Sequence, residues 1–157
     1  MPGYKGHLMG GAAAFGATFA LVSIVNIMPK QDPFIIASCF VAVMAGSLFP
    51  DIDVKSKGQN VFYWLILGLF VYFFYKKQFV TLAYVAIVAT LPMLVKHRGL
   101  FHNIWFIVGA LGTLCYLLTG YLPHYDKTII LHTIFFIAGA VSHLWLDLGF
   151  VRMFRFR

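Results

Sequence analysis

Long apolar runs, each closed by a short polar or proline-containing break, divide this chain into six segments. The first runs from about Gly6 to Met28 and stops at Pro29-Lys30-Gln31-Asp32-Pro33. The second runs from Phe34 to Phe49 and stops at Pro50-Asp51. A polar stretch from Asp51 to Asn60 precedes the third, Val61–Tyr75, which Lys76-Lys77 close. The fourth covers Gln78–Val95, with Pro92 expected to kink or thin it. The fifth covers Phe101–Gly120, and after a short loop the sixth covers Thr128–Phe150. A basic tail, Val151–Arg157, ends the chain. A membrane-spanning helix needs about 20 apolar residues, and the second and third runs are short by that measure. The expected fold is all-α: a single integral membrane domain over residues 1–157, built as a polytopic helical bundle of about six transmembrane helices.

Composition points the same way. Hydrophobic residues make up 61% of the 157 and charged residues 11%, against about 25% charged in a soluble domain. Too little polar surface exists to coat a water-soluble globule. The first run exceeds the roughly 7–15 apolar residues of a signal peptide and reads as a retained helix. Cys39 and Cys115 lie in separate runs without CxxC spacing and read as packing residues.

The net charge of +7 would suggest nucleic acid in a soluble protein. Here the basic runs are short, no nucleic-acid partner is expected, and the charge reads first as orientation. Attraction to anionic headgroups comes second. With six crossings, Lys5, Lys55, Lys57, Lys96, Arg98, Arg152, Arg155 and Arg157 share one side, and Lys30, Lys76, Lys77 and Lys127 the other. The first side, with both termini, is expected to be cytoplasmic.

That sidedness gives the polar residues their meaning. His7, Asp51, Asp53, His97, His102, His143 and Asp147 all fall at segment ends on the same side. Ionisable groups at membrane depth are costly, so a convergent set marks a functional site. Four residues separate His143 from Asp147, which puts them about 40° apart on one helix face. They can share a metal or hydrogen-bond each other. Pro50 stops the second segment and lets Asp51 and Asp53 turn into a common site, although an exposed acidic turn is the simpler reading. His97 and His102 lie about 140° apart on a straight helix and serve one site only if the chain breaks between them, which Gly99 permits. The planar guanidinium of Arg98 suits phosphate, and Asn103 is a candidate hydrogen-bonding partner of substrate or ligand. The simpler reading of this cluster is a basic headgroup anchor, and that of His7 an interfacial residue. Small residues in the first run (Gly6, Gly10, Gly11, Ala13, Ala14, Gly16, Ala17), with Ala45 and Gly46 in the second, allow the close helix approach that would bring His7 near Asp51. His124 and His132 fall toward the opposite side and are set apart from the site. Trp64, Trp105 and Trp145 read as interface or packing residues.

Four imidazoles and three carboxylates on one side suit Zn²⁺, with Mn²⁺ or Fe²⁺ as the other options, and the number of candidate ligands allows two or more ions. No nucleophile elbow, Walker loop or GxGxxG fingerprint is present.

His7 before a Gly-rich helix, Leu48-Phe49-Pro50-Asp51-Ile52-Asp53, His97-Arg98-Gly99-Leu100-Phe101-His102, and His143 with Asp147 together resemble the LexA-regulated, membrane-bound metal-dependent hydrolases of the bacterial inner membrane. The resemblance covers nearly the whole chain. That family is distantly similar to zinc-dependent phospholipase C and zinc-dependent single-strand nucleases. The resemblance implies metal ligation by His7, Asp51, His102, His143 and Asp147. It implies that Asp53 and His97 are ligands or partners of ligands, and that Arg98 binds phosphate. The extra glutamate ligands and the N-terminal Trp ligand of the soluble phospholipases have no counterpart here; the chain contains no Glu.

The expected activity is hydrolysis, by metal-activated water, of a phosphoester in a phospholipid or lipid-linked substrate. Asp53 or His97 would act as general base or position the water, and Arg98 would balance charge. Two alternatives stand beside it: a metal-ion transporter, which would need polar residues at mid-depth, and a metal-stabilised membrane scaffold without turnover.

Overall fold

The apolar runs form six α-helices in the computed structural model, which describes residues 3–27, 32–94 and 100–154. They are α1 (Tyr4–Ile24), α2 (Pro33–Leu48), α3 (Lys57–Tyr75), α4 (Phe79–Leu94), α5 (Ile104–Tyr121) and α6 (Asp126–Leu148). Short 3-10 turns at Phe49–Asp51, Leu100–His102, Pro123–Tyr125 and Arg152–Phe154 punctuate them, and the described residues contain no strand. The architecture is an all-α membrane bundle. Its exterior carries large apolar side chains such as Trp64, Phe74, Tyr84 and Tyr116, a surface that suits lipid and not water.

Five of the helices are long and apolar enough to cross a membrane. The exception is α4, with 16 residues. At 1.5 Å per residue it extends about 24 Å, less than the roughly 30 Å of a hydrocarbon core. Among the described residues the short apolar helix is therefore the fourth, and not the second or third. The turn at Phe49–Asp51 lengthens α2 into a 19-residue apolar stretch. Helix α3 begins at Lys57, inside the expected polar loop, because Ser56 caps it: its Oγ accepts from the Gln59 N–H at 3.1 Å and donates to the Asp51 carbonyl at 2.7 Å. Helix α4 packs back along α3, and the Leu100–His102 turn meets the Phe49–Asp51 turn. The chain thus returns to its starting end before α5 begins, and the up-and-down alternation holds.

Helix α6 is the hub, packed on α1, α2 and α5, while α3 and α4 pair with each other at the side of the bundle. The α2–α6 crossing is set by two glycines. A Cβ on Gly46 would strike the backbone of Phe136, and one on Gly139 would strike the carbonyl of Val43 and lie 2.8 Å from the Ser47 nitrogen. Small residues let helix backbones touch in lipid, where no hydrophobic force drives helices together. Below the crossing, Val22, Cys39, Val43, Leu131 and Phe135 form one buried cluster. There His132 links the same two helices, its Nδ1–H donating to Thr128 O at 2.7 Å and its Nε2 lying 2.8 Å from Ser38 Oγ. His132 is thus an interhelical tie, and His124 lies exposed in the turn before α6. Cys39 and Cys115 are both free thiols.

At the other end of α6, Gly149 adopts φ +77°, a left-handed value that glycine accepts without cost. The chain then folds back, burying Met153 and placing the Phe154 carbonyl 3.2 Å from the Trp105 Nε1–H.

Candidate metal centre

Where α1 starts, α2 stops, α5 starts and α6 stops, the bundle gathers His7, Asp51, His102, His143 and Asp147. Asp51 is held by the 3-10 turn behind the buried ring of Pro50. His102 ends the turn just before α5. Asn103 caps α5, its Oδ1 accepting from the Trp105 and Phe106 N–H groups at 2.9 and 3.3 Å. The structure thus gives the Asn103 Oδ1 a capping role. His143 and Asp147 project one turn apart from α6, and His7 comes from the second turn of α1.

Asp51, His102, His143 and Asp147 each offer one ligand atom, all within 4.8 Å of one another. Asp51 Oδ1 lies 3.6 Å from His102 Nε2 and 3.5 Å from His143 Nε2. Asp147 Oδ2 lies 4.0 Å from His102 Nε2 and 3.7 Å from His143 Nε2. Its other oxygen, Oδ1, lies 3.4 Å from His7 Nε2. The rings of His7 and His143 stack, with centroids 3.8 Å apart and planes 15° from parallel.

These separations are too long for hydrogen bonds of ordinary strength. They fit an ion between the atoms. Zinc bonds of about 2.0–2.2 Å in a tetrahedron put ligand atoms about 3.3–3.6 Å apart; the four His–Asp edges of 3.5–4.0 Å lie near that range, in a group whose ligand atoms spread over at most 4.8 Å. The tautomer agrees. His143 Nδ1 lies 2.7 Å from the Ser47 carbonyl, which can only accept, so Nδ1 carries the proton. With Nδ1 so engaged, Nε2 is the atom that faces the two carboxylates. Among the described residues, His143 Nε2 and both oxygens of Asp147 are buried with no hydrogen-bond partner. Ring nitrogens and carboxylate oxygens that converge this closely suit a cation between them. The carbonyl behind His143 also fixes its ring, as partners of metal-bound histidines do. His102, outside the spanning segments, is held below the usual imidazole range by burial, with His143 beside it adding to the effect. That direction favours the neutral form that a ligand needs.

Of the remaining expected residues, His7 sits against Asp147 but outside the four-residue group. Asp53 is also outside it; its carboxylate is shielded from solvent and acts electrostatically on His102. His97 and Arg98 lie outside the described residues.

Two residues that sequence reasoning missed hold the centre together. They are Ser47, whose carbonyl orients His143, and Gly139, which lets α6 approach it. A small residue one turn before His143 on the same helix is the signal that would have found Gly139.

A family profile described as YdjM inner membrane protein matches residues 1–152. The chain belongs to that family. YdjM membership and the apolar helices together make it a multi-pass inner-membrane protein. It agrees with the LexA-regulated membrane family that the motifs resemble, while the YdjM description names a location and no reaction. No curated protein and no solved structure matches the chain at a significant level.

Proposed function

We propose that this protein is a metal-dependent hydrolase that cleaves a phosphoester of a lipid or lipid-linked molecule at the cytoplasmic face of the inner membrane. The observation that carries this reading is the buried constellation of Asp51, His102, His143 and Asp147, whose facing acceptor atoms leave space for an ion. Mixed N/O ligation makes Zn²⁺ the first choice. A divalent ion bound there supplies Lewis acidity, for activating water and for offsetting charge on the phosphoryl group.

The chain's own residues divide the rest of the work. His143, oriented by Ser47, and Asp147, flanked by three imidazoles, form the rigid wall of the site. Asp53, whose charge acts on His102, is assigned to accept a proton from the attacking water. Arg98 is assigned to the phosphate by the family resemblance. The cytoplasmic placement rests on eight basic residues against four on the other side.

Incubating detergent-purified protein with a panel of phospholipids and lipid-linked phosphates tests the reading. A released phosphate or headgroup that disappears with chelator and returns with Zn²⁺ is the expected result. The near-complete burial of His102, His143 and Asp147 also suits a closed structural site. Stoichiometric metal with no hydrolysis across the panel would replace the enzyme with that scaffold.

A further inference from the structure

The cluster meets solvent on one side. The Asp51 side chain is 25% exposed, against 0–3% for His7, His102, His143 and Asp147. Asp51 lines an open pocket of about 550 Å³, whose other walls include Lys55, Lys57, Gln59, Asn60 and Tyr4. That volume is within the range of small-molecule sites. A molecule reaching Asp51 by this route passes two ammonium groups and two side-chain amides.

We infer that this pocket binds the phosphate group of the substrate, with Lys55 and Lys57 as the cations that select an anionic ligand. Its catalytic consequence rests on the hydrolase reading above; its binding chemistry does not. In a chain with five acidic residues, the two lysines are not paired to the acid beside them, because no ion pair joins either one to Asp51 among the described residues. Both are exposed and free to turn toward the pocket. Their loop is fixed at both ends, by the Ser56 bond to the Asp51 carbonyl and by the Ser56 cap on α3. The start of α3 adds its positive dipole end to the same wall. Asp51 itself repels an anion unless a cation engages its charge. Phosphate binding is therefore coupled to metal, and each raises the affinity for the other.

The test uses the full chain and two probes. Inorganic phosphate is titrated into metal-loaded protein in detergent, and nanodiscs of phosphatidylcholine with and without phosphatidic acid supply the lipid-borne group. Lys55→Gln/Lys57→Gln is expected to weaken binding about 10-fold or more, as loss of charge-assisted contacts in a partly solvated site does. Bound metal stays at the wild-type level, which shows that the variant is folded. Lys55→Arg/Lys57→Arg restores most of the affinity. A loss in both arms means the pocket reads the phosphate group itself; a loss with phosphatidic acid alone means it reads the lipid headgroup. Unchanged affinity in both arms, or phosphate binding indifferent to metal, overturns the inference. Phosphate held by these lysines without hydrolysis of any substrate would remove the proposed function and leave this site standing. Hydrolysis with phosphate affinity indifferent to both lysines would do the reverse.

Discussion

Asp147→Asn is expected to weaken metal binding by about 100-fold or more while leaving the bundle folded. Losing a hydrogen-bonded partner behind a ligand already costs about 10–100-fold, and Asp147 stands in the ligand position itself. Its two oxygens face His7 on one side and His102 and His143 on the other, and its side chain is fully buried. Asparagine keeps the shape, removes the charge and turns a donor into the site. A metal present at a thousand times its Kd stabilises the wild type by about 4 kcal/mol, and the variant should gain none at the same concentration. Without metal, the variant should be at least as stable as the wild type, because one of two close carboxylates has been neutralised. Thermal unfolding in detergent, with and without Zn²⁺, measures both effects. A variant that binds metal as tightly as the wild type would make the cluster a polar knot and not a metal centre.

Gly139→Val should unfold the molecule more readily, by about 3 kcal/mol or more. Overpacking costs about 1–3 kcal/mol where side chains can shift, and here the atoms in the way are backbone, the Val43 carbonyl and the Ser47 nitrogen. The damage should reach the site, since Ser47 is the residue whose carbonyl orients His143. Gly16→Ala and Gly109→Ala are the controls. Nothing lies within 4 Å of a Cβ at either position, so alanine should be neutral or better, given glycine's helix penalty of about 1 kcal/mol. Denaturant unfolding in detergent ranks the three variants. Equal tolerance at all three positions would contradict the described α2–α6 crossing.

The helices were legible because most apolar runs are bounded by Pro, Lys or Asp, and in lipid the backbone has few alternatives to a helix. Their ends were less so. The stop after Tyr75 was readable from two lysines, but the start at Lys57 depends on a Ser56 cap inside a stretch that looked like a polar loop. The convergence of Asp51, His102, His143 and Asp147 followed from the parity of the crossings, with the 16-residue α4 still returning the chain to the same end. What no spacing rule supplied was which atoms face one another. The stacking of His7 on His143 and the bond from His143 to Ser47 join helices distant in sequence. The second of these depends on the α2–α6 backbone approach that Gly46 and Gly139 permit. Asn103, a polar residue beside a histidine, also caps α5, a role that its place in the sequence did not announce.

Elemental analysis of the detergent-purified wild type, followed by anomalous diffraction at the edge of whatever metal is found, addresses the centre itself. The account predicts at least one equivalent of a divalent ion, bonded to Asp51, His102, His143 and Asp147. Protein that carries no metal after purification and takes up none from micromolar Zn²⁺, or an ion bound away from these four residues, would contradict it.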